Sequence, residues 1–277
     1  MAERAAVLGS PIAHSLSPAL HTAAYRALGL DDWEYTRADV AEDELVAFVT
    51  GLGLEWRGLS LTRPLKEVAF EVATTVSDVA RETGSINTLL RRADGGWGAD
   101  NTDVVGVVRA LAEAGVERAE RPVVVGSGAT ARSVVAAFVA MGAAQVDFMV
   151  RGEVRGPTLA QAQTAGLLVT RHDVGDWPDD VDVIVSTMPG DRSEAAATLP
   201  RGRGSVLDVV YGTPSAFVEV AARQGYAVVP GVAMLLHQAA EQFRLMTGRP
   251  APLDAMRAAV REPLAGAPGA PVEGVGS

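Results

Sequence analysis

The sequence predicts an α/β protein of two domains. Apolar runs of strand length alternate with helical stretches from residue 5 to residue 260, the pattern of parallel strands joined by helical crossovers. The alternation restarts after a helix near residue 114, so a second βαβ set follows the first. With 277 residues and 48% hydrophobic content, the chain suits two modest domains or one large one.

Ala5 to Leu8 form the first apolar run, ending at Gly9. Ser17-Pro18 then opens a helix to Leu28, with Ser17 suited to the cap, Pro18 to the first turn and Gly29 to the exit. Trp33 to Arg37 reads as the second strand, Asp43 to Thr50 as a helix, and Gly58 to Thr62 as the third strand, running into Arg63-Pro64. Glu67 to Thr75 continues as a helix, and Ile86 to Leu90 with Asp94-Gly-Gly-Trp97 gives a strand and a hairpin turn. A helix from Thr102 to Ala114 leads into the second unit. Its strands are Val123 to Val125, Gln145 to Val150, Leu167 to Arg171, Val181 to Ser186, Ser205 to Val210 and Ala227 to Val229. Further helices are expected at Ala129 to Met141, Pro214 to Gln224, from Gly231 to about Met246, and Leu253 to Val260. The Pro-, Gly- and Ala-rich tail from Pro263 is expected to be disordered.

One turn stands out chemically. Gly126, Ser127, Gly128, Ala129, Thr130 and Ala131 follow the Pro122–Val125 run and open a helix, the order a dinucleotide-binding turn requires. Gly126 permits a tight turn, Gly128 lets backbone approach a pyrophosphate, and Ala131 keeps helix and strand close. The helix start then offers unpaired N–H groups and a positive dipole end. A plain glycine-rich turn has the same letters, and the strand before and helix after favour the cofactor.

Composition excludes several classes. A net charge of −10 argues against a general nucleic-acid partner. No apolar stretch is long enough to span a bilayer, and the N-terminus lacks the layout of a secretion signal, so a cytoplasmic location is expected. Without cysteine there is no disulfide, thiolate nucleophile or Cys-based metal site. His14, His21, His172 and His237 show no pairing at metal-ligand spacing, and no metal is expected. Lysine is scarce in this arginine-rich chain, which draws attention to Lys66.

Five segments combine polar residues with turn or strand-end positions: Gly9 to Pro18, Ser60 to Lys66, Gly84 to Thr88, Asp100 to Asp103 and Gly231 to Gln238. In their order and across nearly the whole chain they resemble the shikimate dehydrogenase family. The resemblance implies NADPH-dependent, reversible reduction of 3-dehydroshikimate to shikimate, a step toward aromatic amino acids. It implies an N-terminal substrate domain over residues 1–102, a Rossmann-like NADP-binding domain over 103–236, and C-terminal helices over 237–262 returning to the first domain. The active site would lie in the cleft between the domains, with hinge movement near Asp103 and Gly231.

Site roles follow from the same resemblance. Ser15 and Ser17 match a Ser-x-Ser pair that donates to the substrate carboxylate; helix capping by Ser17 is the plainer alternative, and both roles are compatible. Lys66 and Asp103 match the catalytic pair, the lysine giving or taking the proton at the reacting oxygen and the carboxylate orienting it. A structural salt bridge joining the domains is the alternative. Thr62, Asn87 and Gln238 match positions that bond the ring hydroxyls, and Tyr211 a tyrosine near the carboxylate. Two departures stand out: Ser60 replaces the usual Asn, and Val104 follows Asp103 where Gly is usual.

An NAD-selective site usually places Asp or Glu at the end of the strand after the glycine loop. Here Val150-Arg151-Gly152-Glu153-Val154-Arg155 offers two arginines for a 2′-phosphate, so NADP is expected, although Val150 and Gly152 stand where the family has Asn and Thr. Thr187 and Met188 end the Val181–Ser186 strand, where the family contacts the cofactor, and Gly231 with Met234 would lie along the nicotinamide. Quinate or amino-shikimate dehydrogenases of the same fold, and a non-catalytic shikimate-sensing protein, are the competing readings. Monomer and homodimer both stay open.

Overall fold

The structure, a computed structural model, describes residues 2–190, 192–212 and 215–265. Two six-stranded sheets organise it. In the first, β1 (Glu3–Gly9) pairs in parallel with β2 (Trp33–Asp39) on one side and β3 (Trp56–Leu61) on the other. The expected Glu67–Thr75 helix shrinks to a single 3₁₀ turn over Val68–Glu71. Its second half is β-branched, and Thr75–Val76 instead forms β4 on the sheet edge. The hairpin turn is as expected: β5 (Thr88–Arg91) and β6 (Trp97–Asp100) run antiparallel, so this sheet is mixed, in the order β2-β1-β3-β5-β6-β4.

Three helices pack on this sheet: α1 (Ser17–Ala27), α2 (Leu45–Thr50) and α3 (Asp78–Thr83). Ser17 does not cap α1. The cap position falls on Leu16, and the Ser15 hydroxyl accepts from the Ser17 N–H at 3.3 Å, so the preceding serine serves the helix start. α3 was not expected from the sequence. Its boundaries are ordinary: Ser77 Oγ accepts from the Ala80 N–H at 3.1 Å, and Gly84 closes the helix at φ +55°.

α4 (Asp103–Glu113) leads to the second sheet, built from β7 (Pro122–Val125), β8 (Gln145–Met149), β9 (Leu168–His172), β10 (Val183–Ser186), β11 (Ser205–Asp208) and β12 (Ala227–Val229). All pairings are parallel, and the order is β12-β11-β10-β7-β8-β9. Numbered from its own first strand this is 3-2-1-4-5-6, the doubly wound order, whose direction reverses between β7 and β10. Every residue of β7, β10 and β11 is buried, because helices cover both faces. Those helices are α5 (Ala129–Ala140), α6 (Gly156–Thr164), α7 (Ser193–Ala197) and α8 (Ala216–Arg223). Pro214, the expected start of α8, lies outside the described residues.

The chain then returns. α9 (Gly231–Thr247) and α10 (Leu253–Ala265) pack on α1, and their Leu235, Leu236, Phe243, Met256 and Val260 share one core with Ala5, Leu20, Tyr25 and Tyr35. α10 runs through Pro263, where the tail was expected to begin. A proline in the last turn removes only one terminal helical bond; the remaining tail lies outside the described residues. α4 and α9 cross closely at Gly106, where a Cβ would come within 2.9 Å of the Met234 carbonyl. That crossing sets Asp103, Met234 and Gln238 on neighbouring surfaces.

Candidate active site

The loop after β3 carries Lys66, and the first residue of α4 is Asp103. The Lys66 Nζ lies 2.5 Å from Asp103 Oδ2, with the side chains 12% and 7% exposed. Lys66 is the only lysine in the chain, so this pairing uses its one ammonium. The second carboxylate oxygen accepts from Asn87 Nδ2 at 2.8 Å. Asn87 is itself oriented by the Thr102 backbone N–H, which donates to Oδ1 at 2.8 Å. A carboxylate in the first turn also sits at the favourable end of the helix dipole.

These groups face a cleft of about 770 Å³ between the two sheets. All eight residues expected to act on a substrate line it: Ser15 and Ser17 from the start of α1, Thr62 and Lys66 after β3, Asn87 before β5, Asp103 on α4, Tyr211 after β11, and Gln238 on α9. Burial raises the Tyr211 phenol above its usual range, and the nearby Asp103 charge adds to this, so the hydroxyl stays protonated near neutral pH. Gln238 Nε2 donates to the Leu235 carbonyl at 2.9 Å, leaving its oxygen toward Asn87.

The opposite wall is the crevice where the second sheet reverses. Gly126 adopts φ +107°, and a Cβ there would stand 2.7 Å from Thr187 Oγ1, so the β7 and β10 ends approach only because glycine occupies it. Gly128 precedes α5 with no side-chain cap, and no atom lies within 4 Å of where its Cβ would be. The first-turn N–H groups of α5 thus have an open approach suited to a dinucleotide pyrophosphate. Gly128, Ala129, Thr130, Arg155, Thr187, Gly231 and Met234 line the cleft.

The remaining expected cofactor residues sit elsewhere. Ala131 is fully buried under the turn, and Met188 packs against the core beneath β10. Ser127 supports the neighbouring loop, its hydroxyl accepting from the Arg155 N–H at 3.3 Å and its carbonyl from Thr158 Oγ1 at 2.8 Å. Arg151 is exposed and lies 3.5 Å from Glu194, so of the two expected arginines Arg155 is the one that lines the cleft. Gln242 is among the cleft residues that escaped the sequence reading; it lies one helical turn beyond Gln238 on the same face of α9. That four-residue spacing was its available signal. Among the described residues, no group of three His, Asp or Glu side chains could hold a metal ion.

Comparison with known proteins identifies the family. Two family models match, the shikimate dehydrogenase substrate binding domain over residues 7–89 and the shikimate 5′-dehydrogenase C-terminal domain over residues 231–261. Shikimate dehydrogenase (NADP(+)) of Xanthomonas campestris is 38% identical over 259 residues, covering 88% of this chain and 90% of that protein. The chain belongs to the shikimate dehydrogenase family. Among solved family members, the Mycobacterium tuberculosis shikimate dehydrogenase is 38% identical with a TM-score of 0.84, covering 93% of this chain and 98% of that one. The Thermus thermophilus family member, solved in complex with NADP(H) and shikimate, is 31% identical with a TM-score of 0.84, covering 95% and 100%.

Proposed function

We propose that this protein reversibly reduces 3-dehydroshikimate to shikimate with NADPH. The observation that carries the reading is the buried Lys66–Asp103 pair, set in one cleft with the open N-terminus of α5 on its other wall. Ser15, Ser17 and the protonated Tyr211 donate to the substrate carboxylate, and Thr62, Asn87 and Gln238 bond the ring hydroxyls. NADPH, when bound, supplies the hydride that adds to the ketone carbon. Lys66 Nζ gives the matching proton to the ketone oxygen, and in the reverse direction takes it from the alcohol. Asp103 holds the ammonium against that oxygen and accepts from a neighbouring hydroxyl. The α5 N–H groups face the pyrophosphate, and Arg155 with Arg151 serves a 2′-phosphate.

The division into a substrate domain over 1–102, a nucleotide domain over 103–236 and returning helices over 237–262 is part of this proposal. So is closure of the cleft about Asp103 and Gly231, which a change in small-angle scattering on adding NADP+ with shikimate would report. The decisive assay is NADP+ reduction by the purified protein with shikimate, run beside quinate and beside NAD+, in wild type and Lys66→Ala. Turnover with shikimate and NADP+ that Lys66→Ala abolishes while still binding both ligands supports the reading. Turnover only with quinate or NAD+ overturns its specificity. Binding without turnover in both proteins identifies a sensor.

A further inference from the structure

Gln242 lies on α9 beneath the cleft and is 1% exposed. Its Nε2 is 3.0 Å from the Asn87 carbonyl oxygen and 3.0 Å from Thr88 Oγ1, and its Oε1 is 2.7 Å from Ser60 Oγ. The directions of these bonds are fixed by groups with no choice. A backbone carbonyl only accepts, so the amide nitrogen of Gln242 faces Asn87 and its oxygen faces Ser60. Ser60 then has to donate to Oε1, which leaves its lone pairs to accept from the Tyr35 hydroxyl at 2.6 Å. On the other side, the Thr102 N–H only donates and the Asp103 carboxylate only accepts. Asn87 therefore turns Oδ1 to Thr102 and Nδ2 to Asp103. Thr88 Oγ1 stands between the Gln242 nitrogen and Asn87 Oδ1, 2.7 Å from the latter, so it accepts from the first and donates to the second.

Five bonds consequently run one way, Tyr35 to Ser60 to Gln242 to Thr88 to Asn87 to Asp103. In a buried chain each donor polarises the next, and the last delivers an N–H to Asp103 Oδ1, leaving Oδ2 for Lys66. We propose that Gln242 is a positioning residue for the Lys66–Asp103 pair, setting the polarity of this chain and thereby the seat of the carboxylate. Like Asn87, it bonds on both sides through opposite ends of its side-chain amide, and it alone joins the Ser60 side of the chain to the Asn87 side. Its amide N–H groups hold the backbone of Asn87 and the hydroxyl of Thr88 together. The inference rests on the reading of Lys66 as the group that handles the substrate proton.

Gln242→Met and Thr88→Val keep shape and remove the donors at two successive links, and Gln242→Glu keeps the acceptor for Ser60 while losing both amide donors. Because the chain has a single lysine, selectively labelled lysine gives one side-chain NMR resonance, that of Lys66. All three variants are expected to lower kcat for shikimate oxidation by about tenfold, the scale of one hydrogen bond expressed in the transition state. The Lys66 resonance moves with them, and NADP+ affinity stays as in wild type. Thr88→Val carries the test should the Gln242 variants fail to fold. Wild-type kcat and an unmoved resonance in Thr88→Val and the folded Gln242 variants overturn the proposal. A rise in the shikimate KM alone also overturns it, making Gln242 a wall of the pocket. If wild type does not oxidise shikimate, the functional reading fails separately, and the resonance in the variants still reads the chain.

Discussion

Arg132 joins the two halves of the molecule from the first turn of α5, and replacing it tests that seam. Its side chain is 4% exposed and donates to the Thr83 carbonyl, to the Gly84 carbonyl at 2.9 Å and to Glu67 Oε1 at 2.5 Å. Arg132→Met keeps most of the volume and removes every donor. Each carbonyl left without its partner costs about 1–3 kcal/mol, whereas Glu67, 56% exposed, is rehydrated at little cost. Two carbonyls give about 2–6 kcal/mol, and the variant is relieved of the cost of burying the guanidinium, which offsets part of this, so the net loss is about 3 kcal/mol. Urea titration followed by circular dichroism is the assay, with Glu67→Gln as the control, expected to lose less than about 1 kcal/mol. A stability loss below about 0.5 kcal/mol in Arg132→Met, or an equal loss in both variants, would refute the reasoning.

Three other outcomes are expected. His21, buried against Tyr35, has its pKa lowered from 6.5 to about 3 by desolvation, so below pH 6.5 the unfolded chain takes a proton that the folded one refuses. Stability is therefore lost as pH falls from about 6.5 toward 3, at up to about 1.4 kcal/mol per unit, and His21→Phe should flatten that slope; an unchanged slope counts against it. Arg155→Gln should weaken NADP+ binding by about 10- to 100-fold and leave NAD+ within about twofold, read by fluorescence titration, and equal losses for both would remove Arg155 from the 2′-phosphate. Gly106→Ala puts a Cβ 2.9 Å from Met234 O and from Gln238 Cβ, so it should destabilise by about 1–3 kcal/mol and raise the shikimate KM. An unaltered melting temperature would mean that α4 and α9 separate freely.

What the sequence made legible, and what it did not, has physical causes. The Val123–Val125 run and its glycine turn were readable because strand burial and a positive-φ corner each leave a residue-type signature. The pairing of Lys66 with Asp103 was readable only through family resemblance, since 37 positions separate two residues that the β3 loop and α4 bring together. The segment 67–75 misled because Glu67, Val68, Ala69 and Phe70 fit a helix while the β-branched residues beyond them found a free sheet edge. Ser17 matched a cap by type, but the helix starts at it, and the neighbouring Ser15 accepts its N–H. Gln242 carried no motif; its importance lies in which atoms surround it, Ser60 on one side and Asn87 on the other.

The return of α9 and α10 to the first sheet bears on how the chain is made. Tyr25, Tyr35 and Leu20 emerge from the ribosome early, yet the surfaces that cover them, Phe243, Met256 and Val260, are synthesised last. The second sheet, spanning residues 122–229, has all its strands before that point. During synthesis, then, the later unit completes its strands while the earlier one still exposes apolar helix and strand faces, a window in which aggregation competes with folding. Loss of the final helix would accordingly damage the first domain, at the opposite end of the sequence from the missing residues.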